Sequence, residues 1–402
     1  MKIHFDHPSF SFQTLRALGY AAYGGSSLGE VLAAVESIPE GDENAWYANW
    51  RGLAERVHAI GDRCAASGHA VSAREAYLRA SNYYRTSEFF LRENPSADPR
   101  VRETSRLSVS TFTSAAALLT PAVQRVRIPG DGVDLPGWWI PADPRGGDPA
   151  DRRPVLLVHG GFDSTGEELY FAAGAAASRR GYHVLAFEGP GQGSVLREAG
   201  LPFRPDWEVV VTAAVDYLTA REDVDASRIA LMGMSLGGLL APRAASAEHR
   251  LAALIAFGGV YSLGEMGAVA VGDAVTRLAL DGADNEVSAL LEPAIAANLQ
   301  VRWTIRHGMW AFGADSPAAL IRSLNDYSLA DRAGLIRCPT LVLDGENDWM
   351  APGQAPQLFD ALTCPKTYHL FPAADGTGEH CQAGALGPLH QVLFDWLDDV
   401  TS

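Results

Sequence analysis

Between an apolar run, Arg228–Met232, and a helical stretch, Leu236–Ala247, the chain carries Gly233-Met234-Ser235-Leu236-Gly237. A G-x-S-x-G pentapeptide says little alone, because glycine and serine are common. Its setting between a strand and a helix is what constrains the fold. The flanking glycines permit a sharp turn in which the serine takes a strained backbone conformation. The hydroxyl then projects at the carboxyl edge of a sheet, near a helix N-terminus whose dipole favours developing negative charge. A capping serine in a tight turn is the plainer alternative; the strand before it and the helix after it speak against that.

Such a junction needs a parallel sheet, and the chain supplies one. Pro154–Val158, His183–Phe187, Arg228–Met232, Ala252–Phe257 and Pro339–Leu343 are short continuous apolar runs separated by helical stretches. That texture fits strands buried on both faces with helical crossovers, a doubly wound α/β fold. A hairpin, Val123–Ile128 and Leu135–Ile140 around Gly130-Asp131-Gly132, precedes them. Residues 1–119 read instead as helices. Trp46, Trp50, Leu53, Ala54, Val57, Ile60 and Cys64 form one stripe, and Ala73, Ala76, Tyr77, Ala80, Tyr83, Tyr84 and Leu91 form another beyond Gly68. No 34-residue repeat follows, which argues against a repeat array. The interval 261–334 is again helical and lacks strands. The expected organisation is a helical region 1–119, a first core segment 120–260, a helical insertion 261–334 and a second core segment 335–402.

A serine hydroxyl attacks only when a base takes its proton, so a histidine and an orienting acid are required. In this architecture the acid and then the histidine follow the serine along the chain. Asp344 and Asp348 both lie just past the strand that ends at Leu343; Asp348, in the following loop, is the better placed to swing toward the serine, and Asp344 reads as a turn residue bonding its own backbone. His380 lies in the glycine-rich loop Asp375-Gly376-Thr377-Gly378-Glu379-His380, after the last expected strand, Lys366–Phe371. His369 falls within that strand and His390 in the terminal helix, which makes both structural. For the oxyanion, Leu236 supplies one backbone N–H. The loop His159-Gly160-Gly161-Phe162-Asp163 supplies another, from Gly161 or Phe162. His159 reads as structural. The second glycine-rich loop, Glu188-Gly189-Pro190-Gly191-Gln192-Gly193, lacks the spacing of a nucleotide-binding fingerprint.

Composition narrows the rest. Lys+Arg number 32 against 48 Asp+Glu, a net charge of −16, which argues against nucleic acid and anionic lipid as partners. No apolar stretch approaches the roughly 20 residues of a membrane span, and the first residues, Met1 to Pro8, have no signal-peptide core. Four scattered cysteines, Cys64, Cys338, Cys364 and Cys381, suggest free thiols and no metal or redox cofactor. The expectation is a cytoplasmic enzyme acting on a small molecule without a cofactor.

Together these residues resemble the α/β-hydrolase superfamily over roughly 120–260 and 335–402. Tyr77-Leu78-Arg79-Ala80-Ser81-Asn82-Tyr83-Tyr84-Arg85, His159 to Glu168, Glu188 to Gly193 and Gly378-Glu379-His380-Cys381-Gln382 extend the likeness over nearly the whole chain. They resemble the FrsA-like group that includes 2,6-dihydroxypseudooxynicotine hydrolase and fungal polyketide-shortening hydrolases. The resemblance implies an α/β-hydrolase fold whose helical cap is built from the N-terminal region and the insertion. It implies hydrolysis of a C–C bond next to a ketone in an aromatic or polyketide-like metabolite, or else carboxylesterase, thioesterase, lactonase, acyl-transfer or cyclisation chemistry. A catabolic or natural-product pathway and a homodimer formed through the helical regions are further implications. By position it makes Glu265 the counterpart of an assisting cap acid, and Tyr83 or Tyr84 that of a substrate-binding phenol. A non-catalytic binding protein on the same fold is the contrasting reading, against which the intact Ser235, Asp348 and His380 speak.

Overall fold

The computed structural model describes residues 1–144 and 152–401. Eight strands form one sheet: β1 (Gln124–Ile128), β2 (Leu135–Ile140), β3 (Arg153–His159), β4 (His183–Phe187), β5 (Val224–Met234), β6 (Ala253–Phe257), β7 (Thr340–Gly345) and β8 (Lys366–Phe371). Their order is β1-β2-β4-β3-β5-β6-β7-β8. β1 and β2 pair antiparallel, β2 runs antiparallel to β4, and every pair from β4 to β8 is parallel. This is the α/β-hydrolase fold.

The continuous apolar runs reflect burial of both sheet faces. Val155 and Leu157 of β3, Leu185 and Phe187 of β4 and Leu254 and Ala256 of β6 enter one core with the helices Trp207–Thr219 and Gly237–Ala245. Their neighbours Leu156, Val158, Val184, Ala186, Ala253 and Ile255 enter a second core on the opposite face with the C-terminal helix Leu386–Thr401. With both faces covered, alternation has nothing to encode, and each strand reads as unbroken hydrophobicity.

Ahead of the sheet come α1 (Pro8–Gly19), α2 (Leu28–Val35), α3 (Glu43–Ala66), α4 (Ala70–Ser87) and α5 (Pro99–Ala116). The Asp42 carboxylate accepts from Ala45 N and starts α3; Asp98, followed by Pro99, starts α5 in the same way. α3 and α4 approach so closely that a Cβ on Gly61 would meet the Tyr77 ring at 2.6 Å. Within 261–334 lie the helices Leu263–Val271, Asp273–Leu280, Asp284–Ala297, Leu299–Phe312 and Pro317–Leu324. They share a small core of their own around Val287, Leu291, Ile305 and Leu320. The two helical regions meet in a third core, where Trp46, Trp50, Phe89 and Phe90 pack with Leu299 and Trp303. Among the described residues no helix is long and apolar enough to cross a membrane.

Candidate active site

β5 ends at Met234 and the helix Gly237–Ala245 opens at once, leaving two residues to reverse the backbone. Ser235 occupies that corner with φ 61°, a strained value for a residue with a side chain. Its N–H is held by Phe257 O at 2.8 Å. The neighbouring glycines are dictated by space: a Cβ on Gly233 would stand 1.9 Å from Gly237 O, and one on Gly238 would stand 2.5 Å from Gly258 O.

His380 reaches this corner from the loop after β8. Its Nε2 lies 2.9 Å from Ser235 Oγ and its Nδ1 2.6 Å from Asp348 Oδ2. A carboxylate can only accept, so Nδ1 carries the ring proton and Nε2 faces the serine as an acceptor. Asp348 Oδ1 accepts from Met350 N at 2.9 Å and Ala351 N at 3.3 Å, which fixes the carboxylate. Burial opposes its ionisation, but His380 and these N–H groups outweigh it and hold Asp348 below the usual carboxylate range. Burial likewise disfavours a charged His380. The Cys381 sulfur at 3.5 Å and the Asp348 carboxylate more than offset that penalty, and the imidazole is raised well above its ordinary value. The loop itself is strained, with Cys381 and Gln382 both at positive φ. Phe12 of α1 covers the assembly, its ring centroid 6.4 Å from those of both His380 and Trp349.

The loop after β3 lies against the serine corner. A Cβ on Gly161 would meet Leu236 N and Met234 O, each at 2.6 Å, so only glycine allows this approach. The N–H of Gly161, however, donates to Ser164 Oγ at 3.2 Å. That removes Gly161 as an oxyanion donor. Phe162 N–H and Leu236 N–H carry no hydrogen bond to protein among the described residues and are the two donors available to a developing oxyanion.

Three further assignments are corrected. Tyr83 is fully buried among the N-terminal helices, donating to Glu30 at 2.8 Å and accepting from Ser27 N, and its ring packs on Trp50. The Tyr84 hydroxyl meets His58 Nδ1 at 3.2 Å, and Arg51 sits over its ring. Both tyrosines lie on the face of α4 that packs on α3, and their phenols are spent among the N-terminal helices, Tyr83 on α2 and Tyr84 on α3. Glu265 is exposed on the helix Leu263–Val271, accepting from Gln357 at 3.0 Å, and among the described residues no hydrogen bond joins its side chain to Ser235, Asp348 or His380.

The remaining histidines and acids take other places. His159 is buried and neutral: Nδ1–H donates to Gly160 O at 2.9 Å, Nε2 accepts from Trp207 at 3.2 Å, and burial pushes its pKa down to about 4. His390 is fixed between Tyr23 and Ala172 O. Asp344 accepts from Gly345 N and from the Tyr368 hydroxyl, both at 2.8 Å. The Glu188–Gly193 loop turns out to brace the site. Gln192 Nε2 donates to Gly160 O at 2.6 Å, and Glu188 accepts from Gly166 N and Ser194 N. A Cβ on Gly193 would collide with the Glu188 carboxylate. The sequence reading, which tested this loop only for nucleotide binding, missed that role.

Known proteins match this chain at every level. The model of the alpha/beta hydrolase family covers residues 155–384. Hydrolase acrC of Aspergillus aculeatus is 38% identical over 97% of this chain and 96% of its own length. The 20-hydroxy-prefusarin hydrolase of Gibberella moniliformis is 37% identical, again over 97% and 96%. Among solved structures, 2,6-dihydroxy-pseudo-oxynicotine hydrolase superposes with a TM-score of 0.75 at 25% identity, covering 96% of this chain and 95% of that one. The chain belongs to the alpha/beta hydrolase family, in the group of these hydrolases.

Proposed function

We propose that this hydrolase cleaves a carbonyl-adjacent C–C bond of a diketone or aryl ketone, in a small aromatic or polyketide-like metabolite, through a Ser235 acyl-enzyme. The observation that carries the reading is the unbroken series Asp348 Oδ2, His380 Nδ1, His380 Nε2 and Ser235 Oγ, with contacts of 2.6 and 2.9 Å, under the ring of Phe12. In this reading His380 Nε2 takes the hydroxyl proton as Oγ bonds to the carbonyl carbon. The carbonyl π electrons move to its oxygen, held by Leu236 and Phe162 N–H. Collapse breaks the scissile bond, its electron pair leaves with the ketone-stabilised carbon, and the His380 imidazolium protonates that fragment. Water, deprotonated by His380, then releases the acid. The names printed for the relatives, a prefusarin hydrolase and a pseudo-oxynicotine hydrolase, support a small-metabolite substrate of this kind.

One observation favours a second reading. Glu265, the acid expected to assist a carbon leaving group, faces solvent. An alkoxide or thiolate needs no acid beyond the imidazolium, so ester, thioester or lactone hydrolysis fits the same groups. Assaying aryl 1,3-diketones against matched aryl esters separates the two by kcat/KM. The common core is tested by Ser235→Ala, expected to lower turnover about 10⁴-fold or more and to abolish fluorophosphonate labelling. Turnover surviving in that variant sinks the covalent mechanism.

A further inference from the structure

His307 lies in the helix Leu299–Phe312, far from the loops that the family motifs mark, yet it is 1% exposed and touches the oxyanion loop. Its Nε2 is 2.9 Å from Phe162 O and its Nδ1 is 2.9 Å from Arg92 Nε. A guanidinium can only donate, so Nδ1 must be the acceptor. The ring proton therefore sits on Nε2 and is donated to the Phe162 carbonyl. Burial, and then the Arg92 charge, push the imidazole down to about 3, so the neutral ring and its tautomer persist at any working pH. Arg92 is in turn fixed by Glu88 at 2.6 Å, and Glu88 also accepts from Arg197. The ring is clamped on its faces and edge as well. It stacks on Trp303 at 4.8 Å and meets Phe162 edge-on at 4.5 Å.

Phe162 thus has its carbonyl and its ring held by one residue of the insertion, while its own N–H is the loop's available oxyanion donor. The next residue, Asp163, is pinned by Arg16 of α1 at 2.8 Å. On the core side Gln192 Nε2 reaches Gly160 O at 2.6 Å and Gly161 O at 3.3 Å and Ser164 takes the Gly161 N–H, so the peptide carrying the Phe162 N–H is held at its Gly161 end by the core, and His307 fixes residue 162 from the other side through its carbonyl and ring. We propose that His307 is a positioning residue that sets the oxyanion hole by donating from Nε2 to Phe162 O, with Arg92 and Glu88 fixing its tautomer. This rests on the serine-hydrolase reading above. It makes the hole a joint product of the N-terminal helices, the insertion and the core, competent only when the helix Leu299–Phe312 is seated.

The test compares two amides in the full-length protein. In His307→Asn, Oδ1 takes the place of Nδ1 and keeps Arg92 satisfied, while no donor reaches Phe162 O. In His307→Gln, the longer side chain restores a donor near the position of Nε2. With a fluorophosphonate, whose phosphoryl oxygen occupies the oxyanion hole, the maximal labelling rate of Ser235 is expected to fall about 10²-fold in His307→Asn with the half-saturating concentration unchanged. His307→Gln should recover at least tenfold of that loss. Equal rates in the two variants, or an effect confined to half-saturation, overturn the proposal. An unlabelled wild-type chain overturns the hydrolase reading along with it. Nitrogen-15 NMR of the wild-type imidazoles supplies a measurement without substitution: His307 should remain the neutral Nε2–H form at pH 5, and a charged or Nδ1–H ring there overturns the proposal.

Discussion

The two sides of the Ser235 assembly are built from different material. On the core side the backbone itself does the positioning. Gly233, Gly237 and Gly238 stand where a single carbon would strike a carbonyl oxygen, and the strands beneath are apolar on both faces. On the covering side, buried charges do it. Arg16 bridges Asp163 and Glu168, Glu88 joins Arg92 and Arg197, and His307 links Arg92 to the loop. The contrast teaches how each side fails. A core-side substitution meets an atom that cannot move, whereas a cover-side substitution strands a charge whose partner was removed.

The sharpest break in that comparison is Gly233→Ala. With Gly237 O at 1.9 Å from the added carbon, the elbow cannot form. The expected loss is about 4 kcal/mol or more, read as a collapse of the thermal transition or as insoluble protein. Glu88→Ala comes next. Glu88 is held down to about 2, burial notwithstanding, by Arg197 and Arg92. Its removal leaves two buried guanidinium groups uncompensated, at a cost of about 3–5 kcal/mol in denaturant unfolding. If Glu88→Ala proves nearly neutral, the cover is not held by charge and the comparison fails.

Acidity should separate the two sides by sign. In the proposed mechanism His380 must be neutral to take the Ser235 proton, and its pKa is raised above the ordinary 6.5. The kcat/KM profile should therefore fall as pH drops through an apparent pKa above 6.5, earlier than for an unperturbed histidine. His307 behaves oppositely. Its folded pKa is depressed to about 3, so the stability it contributes is fully present above about pH 6.5 and is lost as pH falls toward 3. Activity should thus decline before the fold does, and melting curves run alongside the rate profile check the order. The smallest effect is expected from Glu265→Gln, which should change turnover less than twofold, because that exposed carboxylate is hydrogen-bonded to Gln357, away from Ser235.

How much of this was legible depended on the range of the signal. The strands, the serine corner, the loop after β3 and the choice of Asp348 and His380 are short-range features, and each carries glycines or apolar runs within a few residues of the chemistry. Apart from Gly161, the misplaced residues are all on helices. A stripe of apolar positions says that Tyr83 and Tyr84 are inside, but which helix they face is decided by packing on α3, a contact no local pattern encodes. His307 is the mirror case: nothing near it in the sequence singles it out, and its pairing with Arg92 exists only because two distant helical regions meet. Gly161 shows a finer limit, since Ser164, three residues on, claims the N–H that the motif offered to substrate.

The Phe12 ring over His380 has a bearing on how the protein is made. At about 5–20 residues per second, a ribosome needs roughly 20–70 s to travel between those two positions. During that time α1 can settle on its own helical neighbours but has no His380 loop to cover. The order of synthesis makes the roof before the hearth, and a nascent chain can hold its entry helix ready well before Ser235 meets His380.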